Sequence, residues 1–443
     1  MALTESDLLR FLLSAGLLLL FAVAVGELFA RRRQPRVIGE ILGGAILGPT
    51  VFGAAAPHLQ AQLFPEAGPS VLALDVMYQL GLIWLMFATG TELRRLPIGG
   101  ERVTTFLVAA AGTVLPFAIG LGIFLAAEPA GIAGAANDKT ALALVFAAAI
   151  AVTSIPVISR ILLDLGLMRT AFARVVLGAA ILEDIVMFAV LGVAVGIVQS
   201  SAGSVGLSAE LGIEGGSALS AIYYLCAVSA ALAGGAWLGR HGARQNSLVS
   251  RIASDVRSEL LFVFGAAAAC MLINVPPLFG GLVAGLALGG SESSEATNRI
   301  KSYGLAFFVP IYFGIVGMRL DLIHAFSLTF FAAFFLLACL VKAGSVYLGA
   351  RLAGQPPVNS GNLAIAMNAR GGPGIILATV ALDAGIINGG FYASLVMLAV
   401  ISSLVAGWWL ERVLAPRIHS SRMEAPATPR ERAMQPVADL GTP

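Results

Sequence analysis

The sequence predicts an all-α polytopic membrane protein of about thirteen transmembrane helices, with inverted repeats and two crossed, broken helices. Three observations carry this. Of the 443 residues 58% are hydrophobic and only 12% charged, with a mean hydropathy of +0.90, about half the charge of a soluble chain. The basic residues fall almost entirely into alternate loops. Short glycine-rich motifs recur in the same order in both halves.

Cutting the chain at polar breaks gives apolar spans at about 8–30, 37–54, 71–90, 102–127, 139–163, 172–199, 218–239, 254–273, 277–290, 301–318, 325–350, 360–384 and 388–413. The first is too long for a signal peptide and follows acidic residues, Glu5 and Asp7, so it reads as an uncleaved span. With this cutting, 22 of the 27 basic residues lie on one side, while Arg10, Lys139 and Arg319 lie on the other and Lys342 and Arg370 inside spans. The positive-inside bias then places the N-terminus outside and the C-terminus in the cytoplasm. The Pro-, Ala-, Arg- and Glu-containing tail, 414–443, reads as disordered.

Gly39–Pro49 in the second span matches Phe279–Leu286 in the ninth, and Gly90-Thr91-Glu92-Leu93 closing the third matches Gly317-Met318-Arg319-Leu320 closing the tenth. The copies start seven spans apart, an odd number, so they are inverted in the membrane. Inverted repeats point to alternating access, with the site at the repeat interface.

Two spans carry interruptions. The fifth holds Ala151-Val152-Thr153-Ser154-Ile155-Pro156, where the proline removes a helical N–H; its repeat mate, the twelfth, holds Ala369-Arg370-Gly371-Gly372-Pro373-Gly374. A kink alone explains either one. Interruptions at matching places in the two halves mark a transport site, because unwound backbone at that depth lines protein or a water-filled cavity. Free carbonyls of Val152 and Thr153 are candidate cation ligands. Arg370 would offset helix C-terminal dipoles or pair with a carboxylate.

The sixth span contains Glu183 and Asp184 side by side. A charge in the bilayer centre costs about 3 kcal/mol or more, so two carboxylates there are not packing. Neighbours on a helix point about 100° apart, so one should face the crossing and the other a neighbouring helix. Lys342 in the eleventh span is the natural counter-charge for Glu183. That pair either clamps the bundle or takes part in proton movement. Asp184 is surplus to any clamp and can hold a proton or a cation, not both, which is the chemistry of exchange. Glu92 is either interfacial or reaches Arg370, and Asp75 reads as an exposed span start. Cys226, Cys270 and Cys339 read as buried inert thiols, and His58 and His324 as loop residues without partners. Zinc spacing, nucleophile elbow, phosphate loop and nucleic-acid stripe are all absent from the sequence, so no enzymatic activity, cofactor or nucleic-acid partner is expected.

Together these residues resemble the monovalent cation:proton antiporters, in the branch that holds NapA-type sodium/proton and Kef-type potassium/proton proteins. The resemblance covers nearly the whole chain and rests on the span count, Gly90–Leu93, Thr153-Ser154-Ile155-Pro156, the acidic pair, Lys342 and Asn368–Gly371. It implies a NapA-like fold, with scaffold and dimer helices in 1–90 and 254–318, a mobile core in 102–199 and 325–413, and a linker helix at 218–239. It also implies a homodimer in a bacterial inner or plasma membrane, with Na⁺, K⁺ or Li⁺ as substrate ion and Asp184 as the transport carboxylate. Glu183 stands where the family has Asp, Asn or Gln; an ionisable residue there leans toward charge-moving exchange. No nucleotide-binding domain follows, so ligand gating of the Kef type is not expected. The competing readings are a transporter of the same fold carrying an organic solute or drug, and a membrane sensor that transports nothing. The Ala-, Gly-, Val- and Ile-rich crossing argues against the first; the missing soluble domain argues against the second.

Overall fold

In the computed structural model the described residues are 4–32, 34–65, 67–95, 101–154, 170–201, 218–242, 255–289 and 295–414, with Ile158, Leu162, Leu167 and Ile252 as isolated positions. They form sixteen α-helices: α1 (Glu5–Arg31), α2 (Arg36–Leu47), α3 (Pro57–Leu63), α4 (Pro69–Arg95), α5 (Arg102–Ala127), α6 (Lys139–Ala151), α7 (Ala171–Ser201), α8 (Ala218–Gly242), α9 (Val256–Leu272), α10 (Pro277–Leu288), α11 (Glu295–Tyr303), α12 (Val309–Met318), α13 (Leu328–Leu352), α14 (Pro357–Ala366), α15 (Gly371–Asp383) and α16 (Gly389–Trp409). Helix starts follow local chemistry. Thr4 and Asp7 form a capping box on α1, the side chains of Asp138, Asp255, Ser327 and Asn388 cap α6, α9, α13 and α16, and prolines open α10 and α14.

Each expected span carries helix. Among the described residues nine helices, counting α11–α12 as one rod, are long and apolar enough to cross a membrane, and α14 with α15, bent by 41°, makes a tenth. The other three expected spans are shorter helices, α6, α9 and α10. The expected second half of the fifth span, including Pro156, lies outside the described residues, as does the tail after residue 414.

Glycine sets the packing. A Cβ on Gly44 of α2 would overlap the carbonyl of Gly314 in α12, and one on Gly285 of α10 would overlap the carbonyl of Phe87 in α4. Backbones can approach this closely in a membrane only where side chains are absent. The second span thus packs on the tenth, and the ninth on the third. With repeat mates seven apart, these are one contact occurring twice, as an inverted repeat requires. A second group forms around α5, which packs on α6, α7 and α13, while α15 runs along α16.

The connector after α5 is stitched to the one after α15. Gly134 and Ala136 donate to the carbonyls of Ile386 and Gly385, Asn388 N–H donates to Ile132 at 3.1 Å, and Ala133 and Ile387 form a β-bridge.

Cys226 differs from expectation: α8 turns it outward beside exposed Leu225, while all three thiols are free. His324 has a partner, Asp321, at 3.2 Å.

Gly44→Ala should cost more than the usual 1–3 kcal/mol or so of core overpacking, because the obstacle is backbone. A thermal melt of the purified variant checks this; an unchanged midpoint would show that α2 and α12 are not in close contact.

Candidate functional site

The site starts from a defect in α5. Pro116 has no N–H to give the carbonyl four residues back, so the Gly112 oxygen is left without its helical donor. Lys342 Nζ, from α13, donates to that oxygen at 2.8 Å. It also donates to the carbonyl of Ala151, the last residue of α6, and to Glu183 Oε2 at 2.9 Å. An ammonium has three protons, and all three have acceptors. Gly112 also makes room for Glu183: a Cβ there would sit 2.6 Å from Glu183 Oε1.

The second cation sits on the same helix end. Arg370 Nη2 donates to Ile150 O at 3.0 Å and Ala338 O at 2.7 Å, and Nη1 to Asn368 Oδ1 at 3.1 Å. Two positive groups thus meet the exposed carbonyls at the C-terminus of α6, where the helix dipole favours them. Of the two roles expected for Arg370, the structure shows the dipole-offsetting one.

The two breaks touch. Residues 152–154 are non-helical after α6, and Thr153 Oγ1 donates at 2.7 Å to the carbonyl of Met367 in the gap between α14 and α15. The break in the twelfth span lies at 367–370, overlapping only the start of the expected stretch. Gly371, Gly372 and Pro373 do not interrupt the helix; they form the first turn of α15, capped by Ser403 Oγ at 3.2 Å from Gly371 N. Proline there costs nothing because first-turn N–H groups have no helical acceptor.

Glu183 and Asp184 are both buried, at 1% and 0% exposure, on the inner face of α7, while Leu182, Ile185 and Val186 turn outward. Glu183 is paired. Among the described residues neither oxygen of Asp184 has a hydrogen-bond partner, nor does the buried Ser154 hydroxyl. Charge bookkeeping follows: Glu183 and Lys342 cancel, Arg370 answers carbonyl dipoles, and Asp184 remains uncompensated. A void of about 10 Å³ lies between Thr113, Phe117, Ala148, Ala151, Glu183 and Val186, about the room for one water. Glu92 is not part of this cluster. It pairs with Lys301 at 2.8 Å with 40% of its side chain exposed, the interfacial alternative. Sequence reasoning missed Gly112 and Ser403, and named Asn368 only within the Asn368–Gly371 motif. Pro116 inside an apolar span was the available signal for the first.

Lys342→Gln leaves a buried carboxylate and two carbonyls short of a donor, so stability should fall by about 3–5 kcal/mol. Lys342→Gln with Glu183→Gln should recover part of that and not all, since the carbonyls remain. Strictly additive thermal shifts in this double-mutant cycle would show that the pair does not interact.

The chain is similar in sequence to proteins named as cation/proton antiporters. It is 28% identical over 472 residues to the high-affinity Na⁺/H⁺ antiporter NhaS3 of Synechocystis, covering 96% of this chain and 95% of that protein. It is 29% identical over 426 residues to K⁺/H⁺ antiporter 1 of Saccharomyces cerevisiae, and 27% over 392 to cation/H⁺ antiporter 20 of Arabidopsis thaliana, covering 91% and 85% of this chain. It spans only 46% and 45% of those two, a little under half their length. The solved sodium proton antiporter MjNhaP1 of Methanocaldococcus jannaschii shares the fold, with a TM-score of 0.60 over 93% of this chain and 99% of that one at 15% identity. The family described as sodium/hydrogen exchanger, transmembrane, matches residues 16–415, and the chain belongs to that family.

Proposed function

We propose that this protein is a secondary antiporter that exchanges Na⁺ or K⁺ for H⁺, with Asp184 as the carrying group. The observation that carries this reading is a wholly buried carboxylate with no partner, beside a second carboxylate whose charge is already cancelled. A bare carboxylate is costly away from water. Asp184 therefore crosses neutralised, by a proton or by a cation, and that competition couples the two flows. Val152, Thr153 and Ser154 supply carbonyl and hydroxyl oxygens at the unwound end of α6 for a hard monovalent cation. The Glu183–Lys342 pair and Arg370 hold the broken helix ends while the occupant changes.

In this reading α5–α7 and α13–α16 form the mobile core, α1–α4 and α9–α12 the scaffold, and α8 the link. Two copies would meet through the scaffold, with the arginine-rich loops in the cytoplasm. An organic substrate is disfavoured by the small size of the void beside Glu183, about 10 Å³.

Reconstituted in proteoliposomes with a pH-sensitive dye, the protein should move protons against Na⁺, Li⁺ or K⁺ and not against organic solutes. Asp184→Asn should fold, insert and fall to the level of protein-free liposomes; full exchange by that variant would refute the role of Asp184.

Single cysteines in 55–70 should react with an impermeant thiol reagent from outside, and those in 240–251 from the cytoplasm. The opposite labelling would overturn the orientation.

A further inference from the structure

At the end of the molecule away from the arginine-rich loops, the two groups of helices are joined by a charged cluster that the exchange chemistry does not use. Asp383, the last residue of α15, accepts from Arg319 Nη1 at 2.6 Å and from the Tyr78 hydroxyl at 2.7 Å. Arg319 caps the C-terminus of α12 and Tyr78 lies in α4. The guanidinium also reaches Asp75 at 3.4 Å and lies 4.5 Å from the centroid of the Tyr78 ring, which stacks on Tyr312. Two further bonds run alongside: Tyr312 hydroxyl to Thr379 Oγ1 at 2.9 Å, and Tyr392 hydroxyl donating to Val316 O at 2.7 Å.

Each of these four bonds between α4 or α12 on one side and α15 or α16 on the other crosses the boundary between scaffold and core in the reading above, on which this inference rests. A carboxylate at a helix C-terminus opposes the helix dipole, so Asp383 is poorly placed for the helix that carries it and well placed for Arg319. Helix α15 runs from Arg370 at the crossing to Asp383, about 20 Å at 1.5 Å per residue. The same rod therefore carries the α6 cap at one end and the inter-body contact at the other. Beside Asp383 a cavity of about 210 Å³ opens between the bodies, lined by Gln79 and Leu82 of α4, Leu278 of α10, Val195 of α7 and Val380 of α15. Val195 is eleven residues, about 16 Å, beyond Asp184 along α7.

We propose that Asp383, Arg319 and Tyr78 form a breakable latch between core and scaffold, which holds the path from this cavity toward Asp184 closed on that face. Sliding the core along the scaffold separates Asp383 from both partners at once, so the latch opens when the site turns toward this side. Its strength sets how often that happens.

The test replaces Cys226, Cys270 and Cys339 by alanine, introduces Val195→Cys, and follows its reaction with a membrane-impermeant thiol reagent applied from either face. Val195 is buried, so labelling reports opening. Asp383→Asn should raise the labelling rate from the Arg319 face by about fivefold or more, the range of a typical coupling between sites, with a smaller rise for Tyr78→Phe, which keeps the ring. Should Asp383→Asn fail to fold, Tyr78→Phe alone decides. Unchanged labelling, or an equal rise from both faces, would overturn the latch. Labelling needs no transport. A parent protein that moved no cation would defeat the exchange reading and leave this result standing, and a failed latch would leave exchange untouched.

Discussion

The site hangs on one ammonium group. Lys342 joins α13 to three other helices through three hydrogen bonds: to a carbonyl freed by Pro116, to a carbonyl at the end of α6, and to a carboxylate on α7. Backbone oxygens without donors are expensive where no water can reach them. One buried cation resolves two such defects and a buried anion together. The acidic pair is tolerated because the broken helices need a positive charge, and the breaks are tolerated because the pair brings one. This also distinguishes the two carboxylates: Glu183 is paired with Lys342, and Asp184 has no such partner among the described residues.

Around that centre the protein relies on the absence of side chains. At Gly44 and Gly285 the helix backbones approach so closely that even a methyl group has no space. In lipid there is little hydrophobic drive to press helices together, so contact area and close approach carry the association. The contacts recur at matching places in the two repeats, so the two halves of this helix group obey one packing rule.

Much of this was legible in the sequence, for identifiable reasons. Span positions follow from hydropathy, and the pairing of Glu183 with Lys342 from the scarcity of charges inside spans. Asp184 stood out by subtraction. What could not be read depends on which backbone groups meet. Pro373 looks like a breaker in sequence, yet falls in a first turn where its missing N–H has no consequence. Arg370 has carboxylates within the same buried cluster and is spent on carbonyls of Ile150 and Ala338, a choice only the crossing geometry makes. Pro116 signalled a freed carbonyl without saying that a lysine 226 positions later would take it. Nothing local brings Asp75, Arg319 and Asp383 together, because their contacts span 244 and 64 positions of chain.

The stitched connectors between α5 and α6 and between α15 and α16 have a mechanical meaning. Two connectors joined by backbone hydrogen bonds and a β-bridge act as a brace. The outer ends of α6 and α15, which begin or end at that brace, are held at a fixed separation, and their inner ends form the crossing. In the exchange proposed above, a displacement applied to either rod would be delivered to both, and the unwound segments with their candidate ligand oxygens would keep their mutual spacing.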